Sequence, residues 1–209
     1  MKYILLHGLG QTSSSWNNTI ETMENKSDIL CPNLLDLLCG KEVTYSNLYK
    51  AFSEYCMSVT EPLNVCGLSL GGILALQYGI ENPQKVNSMV LIGTQYIMPK
   101  GLLKFQNVIF HIVPNSTFKK MGCEKKDFIN LTKSMMDLNF QKDLHLISCP
   151  VLVICGGRDK ANKPASLQLK EHIPNVEISI INNAGHEVNI DTPKKLGEIL
   201  NAFFERFVK

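Results

Sequence analysis

The sequence lacks the features that would take a chain out of the ordinary soluble class. It has a single Trp, 8% aromatic residues and no apolar run near the ~18 residues that a membrane-spanning helix requires, so no integral membrane segment is expected. No CxxC pair and no Cys/His spacing of the zinc-binding kind occurs, and neither GxxxxGKS/T nor a GxGxxG opening a helix is found, which excludes the common metal and nucleotide-phosphate motifs. Charge of one sign is also missing. Lys plus Arg number 21 against 19 Asp plus Glu, and no cluster of bases stands out, so no nucleic-acid partner is expected. The amino-terminal MKYILLHGLG offers one Lys and four consecutive apolar residues, too few for a signal-peptide core, and the expected compartment is the cytoplasm. Seven cysteines, an odd number lying in or beside apolar runs, read as reduced core thiols.

What is present suffices for one core. With 209 residues, 44% of them hydrophobic and 19% charged, the chain reads as a single domain over 1–209. Short apolar, β-branched runs bounded by turn residues recur at Tyr3 to Leu6, Asp28 to Cys31, Leu63 to Cys66, Ser88 to Ile92, Val151 to Cys155 and Val176 to Ile181. None alternates with polar residues, as expected of parallel strands covered on both faces. Helical patterns lie between them, with Leu48, Phe52, Tyr55 and Cys56 on one face of one helix and Leu196, Ile199, Leu200, Phe203 and Phe204 on another. The alternation predicts an α/β fold with a doubly wound, mainly parallel sheet of about six strands. It breaks from about 95 to 146, where Leu103, Val108, Ile109, Ile112, Phe128, Ile129 and Leu131 suggest a helical insertion divided near Pro114.

Four loops carry candidate chemistry. Gly67-Leu68-Ser69-Leu70-Gly71 is a GxSxG sequence after a predicted strand and before a predicted helix. A Ser on so tight a turn takes strained backbone angles, and a Cβ two residues to either side would meet neighbouring backbone, which suits Gly67 and Gly71. The turn would expose the Ser69 hydroxyl near a helix amino end, where developing negative charge is favoured. His7-Gly8-Leu9-Gly10 follows the first strand, and a loop with Gly8 and Gly10 lets backbone approach a substrate; the amides of Leu9 and Leu70 are the candidate oxyanion donors. Asp159 and His186 stand in the loops after the fifth and sixth predicted strands, on the sheet edge where α/β folds hold their sites. Each has a bland alternative: a helix-capping Ser, a backbone-bonded His7, a surface ion pair for Asp159 and a solvated loop His. Their joint order, Ser then Asp then His, on one edge of one inferred sheet favours a catalytic reading.

The motifs HGLG, GLSLGG, GGRDK and NAGHEVNIDTP resemble those of the α/β-hydrolase fold superfamily, in its cap-bearing esterase/lipase-like branch. The resemblance implies Ser69 as nucleophile, His186 as general base, Asp159 as the acid that orients it, and the insertion as a helical cap. Many members carry two further strands before the first, so a trimmed sheet is expected here. The implied activity is a serine hydrolase of small carboxylic esters or thioesters with a hydrophobic moiety, through an acyl-enzyme and with no metal or organic cofactor. Carbon–carbon bond hydrolysis, perhydrolysis and ligand binding with negligible turnover use the same residues and stay open. Asp191 reads as a helix N-cap, Glu187 as a weaker rival to Asp159, Trp16 as packing, and His111 and His145 as solvated. Met98, Met121, Met135 and Met136 read as core filler that could line an acyl pocket.

Overall fold

The computed structural model describes residues 1–120 and 123–207, so Met121 lies outside the described residues. Six parallel strands form one sheet: β1 (Lys2–Leu6), β2 (Ile29–Leu30), β3 (Leu63–Leu68), β4 (Val86–Ile92), β5 (Val151–Gly156) and β6 (Val176–Ile181). Their order is β2-β1-β3-β4-β5-β6, and every neighbouring pair is parallel. The helices are α1 (Asn17–Ile20), α2 (Tyr45–Ser58), α3 (Leu70–Glu81), α4 (Lys100–Ile112), α5 (Asn115–Lys120), α6 (Lys125–Ser134), α7 (Lys163–His172), α8 (Val188–Asp191) and α9 (Pro193–Phe204). None among the described residues is long and apolar enough to cross a membrane.

The apolar runs behave as the period of a strand requires, sending successive side chains to opposite faces. Ile4, Leu6, Val65, Met89, Leu91, Val151 and Val153 share a cluster with residues of α2, α3 and α7. Tyr3, Leu5, Cys66, Leu68, Val90, Ile92, Leu152 and Ile154 share a second with Trp16 and residues of α8 and α9. Both faces are covered, and the sheet is doubly wound. Local chemistry fixes the helix ends. Thr44 accepts the Asn47 amide at 3.3 Å as the N-cap of α2, while prolines occupy the first turns of α7 and α9, where no amide is needed.

Two expectations need correction. β6 is a sheet edge, with Glu177 and Ile180 exposed, so its apolar run is not covered on both faces. Not every thiol is a core thiol either: Cys56, Cys66, Cys149 and Cys155 are buried, Cys31 and Cys123 partly so, and Cys39 is exposed. All seven are free.

Between β4 and β5 run α4, α5 and α6, with Pro114 in the break between α4 and α5. The ends of this segment are tied by the antiparallel bridge Ile97 to Asn139, flanked by the Met98 amide on the Leu138 carbonyl and the Phe140 amide on the Tyr96 carbonyl. One Phe from each helix holds the three together. Phe110, Phe118 and Phe128 meet edge to face with centroids 4.8 to 6.1 Å apart, the geometry that aromatic quadrupoles favour.

Phe52 is fully buried in α2 and meets Tyr78 edge to face at 5.6 Å. Phe52→Ala is expected to lower the unfolding free energy by about 3–5 kcal/mol in urea titrations. Met57→Ala, on the exposed side of the same helix, should change it by less than about 0.5 kcal/mol.

Candidate active site

The strand order reverses at β1 and β3, because the chain goes outward from β1 to β2 and then resumes on the other side with β3. Loops at such a switch point diverge and leave a crevice beyond the strands' carboxyl ends. Two of the candidate loops, HGLG after β1 and the Ser69 turn after β3, flank it.

Ser69 stands between β3 and α3 with φ 53° and ψ −112°, outside the allowed regions for a residue with a Cβ. Such a conformation costs on the order of 1–3 kcal/mol and persists only where its surroundings impose it. The Ser69 amide donates to the Ile92 carbonyl at 2.8 Å, and its carbonyl accepts the Ile73 amide at 2.9 Å, the first turn of α3. The glycines make this packing possible. A Cβ on Gly67 would lie 2.2 Å from the Gly71 carbonyl oxygen, and one on Gly71 would lie 2.4 Å from the Leu6 carbonyl oxygen. Gly72, which the motif does not demand, is equally confined: its Cβ would meet Thr94 Oγ1 at 2.0 Å.

His186 Nδ1 lies 2.7 Å from Asp159 Oδ2. Asp159 is 6% exposed, and its carboxylate also accepts the Asn162 amide at 3.2 Å and Asn162 Nδ2 at 2.9 and 3.1 Å. Burial alone would raise the Asp159 pKa, but the hydrogen bonds from His186 and Asn162 outweigh it and hold the carboxyl below its ordinary value. Asp159 is therefore an anion at neutral pH, and the proton between the two groups belongs to His186 Nδ1. The approach is close on every side. Gly93 has φ +55°, and a Cβ there would sit 3.0 Å from His186 Nδ1 and Cε1. A Cβ on Gly156 would meet the Gly185 carbonyl oxygen at 1.9 Å.

The HGLG loop is fixed from both ends. His7 is buried, with Nδ1 donating to the Gly8 carbonyl at 2.9 Å and Nε2 accepting the Leu34 amide at 3.1 Å, so it serves the backbone as its bland reading expected. Gly10 takes φ +83°, whereas a Cβ on Gly8 would make only ordinary contacts. Gln11 Oε1 accepts the Gly8 amide at 3.3 Å and Asn189 Nδ2 at 3.2 Å. Its Nε2 donates to Glu187 at 2.9 Å and to Asn189 Oδ1 at 3.2 Å. One side chain thus joins the HGLG loop to the loop that carries His186.

Ser69, Leu9, Leu70 and His186 line one cavity of about 280 Å³, whose other walls include Ile73, Met98, Leu103, Phe110, Phe128 and Met135. Its polar lining is short, namely Gln95, Thr132 and Asn162 besides Ser69 and His186. The structure brings together Asp159 with His186, and His186 with Ser69 on a shared wall. No hydrogen bond joins the Ser69 hydroxyl to the imidazole among the described residues. Glu187 is engaged by Gln11, away from the His186–Asp159 contact. Asp191 is not a helix N-cap: it ends α8 and accepts the Gly185 amide, bracing the His186 loop. Trp16 is buried, and His111 and His145 are exposed. Met98 and Met135 line the cavity while Met136 does not. Gln11, Gly93 and Asn162 escaped the sequence reading; a Gln or Asn in a loop carries no pattern, although a Gly directly after a strand is a visible signal. Burial pushes the Cys66 thiol well up and that of Cys149 to about 11, so neither is a thiolate nucleophile at neutral pH.

No protein-family model matches the chain. Among curated proteins it is 23% identical to a pimeloyl-acyl-carrier-protein methyl ester esterase of Aeromonas hydrophila, over 96% of this chain and 94% of that protein. It is 20% identical to 3-oxoadipate enol-lactonase 2 of Acinetobacter baylyi, over 98% and 88%. Among solved structures, a thermophilic esterase from Thermogutta terrifontis superposes with a TM-score of 0.81 at 16% identity, covering all of this chain and 91% of that one. The chain has the α/β-hydrolase fold, and these proteins that it matches along nearly its whole length are hydrolases.

The two bonds of His7 require a neutral ring, and burial holds its pKa below the ordinary 6.5, only partly opposed by the Gly8 carbonyl and Asp36. As pH falls through ~6.5 toward the folded value, the unfolded chain binds a proton that the native one does not, and stability falls. Melting temperatures should therefore drop between pH 7.5 and 5.5, and the drop should be smaller in His7→Gln.

Proposed function

We propose that the chain is a serine hydrolase of small carboxylic esters or thioesters, working through an acyl-enzyme. The observation that carries this reading is a hydroxyl on a strained turn sharing a cavity wall with an imidazole that is 2.7 Å from a buried carboxylate. In the first step His186 Nε2 takes the Ser69 proton as Oγ bonds to the substrate carbonyl carbon. The negative charge formed on the carbonyl oxygen is met by the amides of Leu9 and Leu70, the second of which opens α3 and adds the favourable end of its dipole. Collapse of the intermediate expels an alcohol or thiol, which leaves with the proton from His186. A water that gives its proton to His186 then releases the acid and restores Ser69. Asp159 holds the Nδ1–H tautomer throughout and stabilises the imidazolium.

The segment 95–146 acts in this reading as a cap. Its residues Met98, Leu103, Phe110, Phe128 and Met135 give the cavity a mostly apolar wall, which suits a hydrophobic acyl group. The relatives support acyl chemistry on this fold, since one is an ester hydrolase and another a lactonase by name.

Ser69→Ala should lower turnover of p-nitrophenyl butyrate by at least about 10⁴-fold while the far-UV circular dichroism stays unchanged. Turnover that survives the substitution defeats the assignment. Across p-nitrophenyl esters of increasing length, kcat/KM should rise by up to about fourfold per methylene, the value of ~0.8 kcal/mol for a buried CH₂, until the cavity is filled.

A further inference from the structure

Asn162 occupies the N-cap position of α7, a place where Asn is favoured because its side-chain oxygen accepts a free helix amide. Here it makes no such bond. The side chain turns the other way. Nδ2 donates to Asp159 Oδ1 and Oδ2 at 2.9 and 3.1 Å, while Oδ1 accepts Gln95 Nε2 at 2.9 Å. The amide orientation is fixed twice over, because an ionised carboxylate accepts only and a Gln NH₂ donates only. Asn162 Nδ2 also lies 3.1 Å from His186 Nδ1. That contact joins two donors, both directed at Asp159 Oδ2.

We infer that Asn162 is a positioning residue that fixes the plane of the Asp159 carboxylate and, by sharing its charge with His186, sets how strongly that carboxylate holds the imidazole. The inference rests on the proposed roles of Ser69, His186 and Asp159. Asp159 has two oxygens and three donor groups on them, so each bond from Asn162 draws away charge that would otherwise favour the imidazolium. The Asn162 N–H dipole, its positive end toward Nδ1, opposes protonation in the same direction. Few other charges face the pair. Arg158 and Asp191 pair with each other at 3.8 Å, Glu187 is held by Gln11, and Lys163 opens α7. Gly93, directly after β4, approaches His186, and Ser69, directly before α3, shares its cavity; both are uncharged, and β5 brings Cys155 near Asp159, its thiol pushed up by burial. Gln95 follows β4 and lines the cavity, which makes it the link between whatever fills the cavity and the Asp159–His186 pair.

The test is kcat/KM for p-nitrophenyl butyrate as a function of pH, in wild type, Asn162→Ala, Asn162→Asp and Gln95→Leu. Loss of the Asn162 donor strengthens the pull of Asp159 on the imidazolium, so a higher pH is needed to free the base. The acid limb should move up by about half a pH unit in Asn162→Ala and further in Asn162→Asp, which adds a second carboxylate. Gln95→Leu, which leaves Asn162 in place but frees its amide, should move it the same way by less and decides the matter if the Asn162 variants do not fold. Profiles that fall in parallel at every pH, or move down, overturn the inference while leaving the proposed function intact. A wild-type protein without Ser69-dependent turnover overturns both.

Discussion

The close approach of backbone to backbone around Ser69 is the constraint on which the site depends. A hydroxyl can be held at φ 53° only if the strand before it and the helix after it nearly touch, and they do so where Gly67 meets Gly71, Gly71 meets Leu6 and Gly72 meets Thr94. Any side chain at those glycines would push α3 away from the sheet and relax the turn. The strain is carried by a buried frame. Leu6, Leu68 and Ile92, at the ends of the adjacent strands β1, β3 and β4, are all buried, and the Ser69 amide is tied to Ile92 itself. Reactive geometry and core packing are here one arrangement seen from two sides.

The same economy appears across the switch point. Leu9 and His186 come from separate loops and Leu70 from the first turn of α3, yet they line one cavity because the strands beneath them run parallel in one sheet and the loops are laced together above. His7 ties the first loop down to the Leu34 amide, Gln11 ties it sideways to Glu187 and Asn189, and Asp191 braces Gly185. Each of these bonds uses a side chain outside the proposed reacting set to restrict loop backbone.

Much of this was legible in the amino-acid sequence because it follows from periodicity and from glycine. Apolar runs such as Val151 to Cys155, bounded by turn residues, read as strands covered on both faces, and the order of Ser69, Asp159 and His186 along the chain puts each after its own strand. The run Val176 to Ile181 shows the limit of that logic, since an edge strand and a central one can share a composition, and only pairing tells them apart. Asp191 shows another. The residue before Thr-Pro at a helix start looks like a cap, but tertiary structure offers its carboxylate another donor, the Gly185 amide. Asn162 was invisible for the opposite reason: it sits where a cap belongs and does something else. Polar side chains take their partners from three-dimensional proximity, and no spacing rule encodes that.

The cavity's polar wall is supplied by separate parts of the sequence. Everything that strains Ser69 comes from residues before 95, through β1, β3, β4 and Thr94, whereas the imidazole, its carboxylate and the Asn162 clamp come from residues beyond 155. In the proposed reaction the hydroxyl is thus shaped by one stretch of sequence and its base is supplied by another. Substitutions around the Ser69 turn and around the His186–Asp159 pair therefore perturb separate parts of the fold, although both bear on the same cavity.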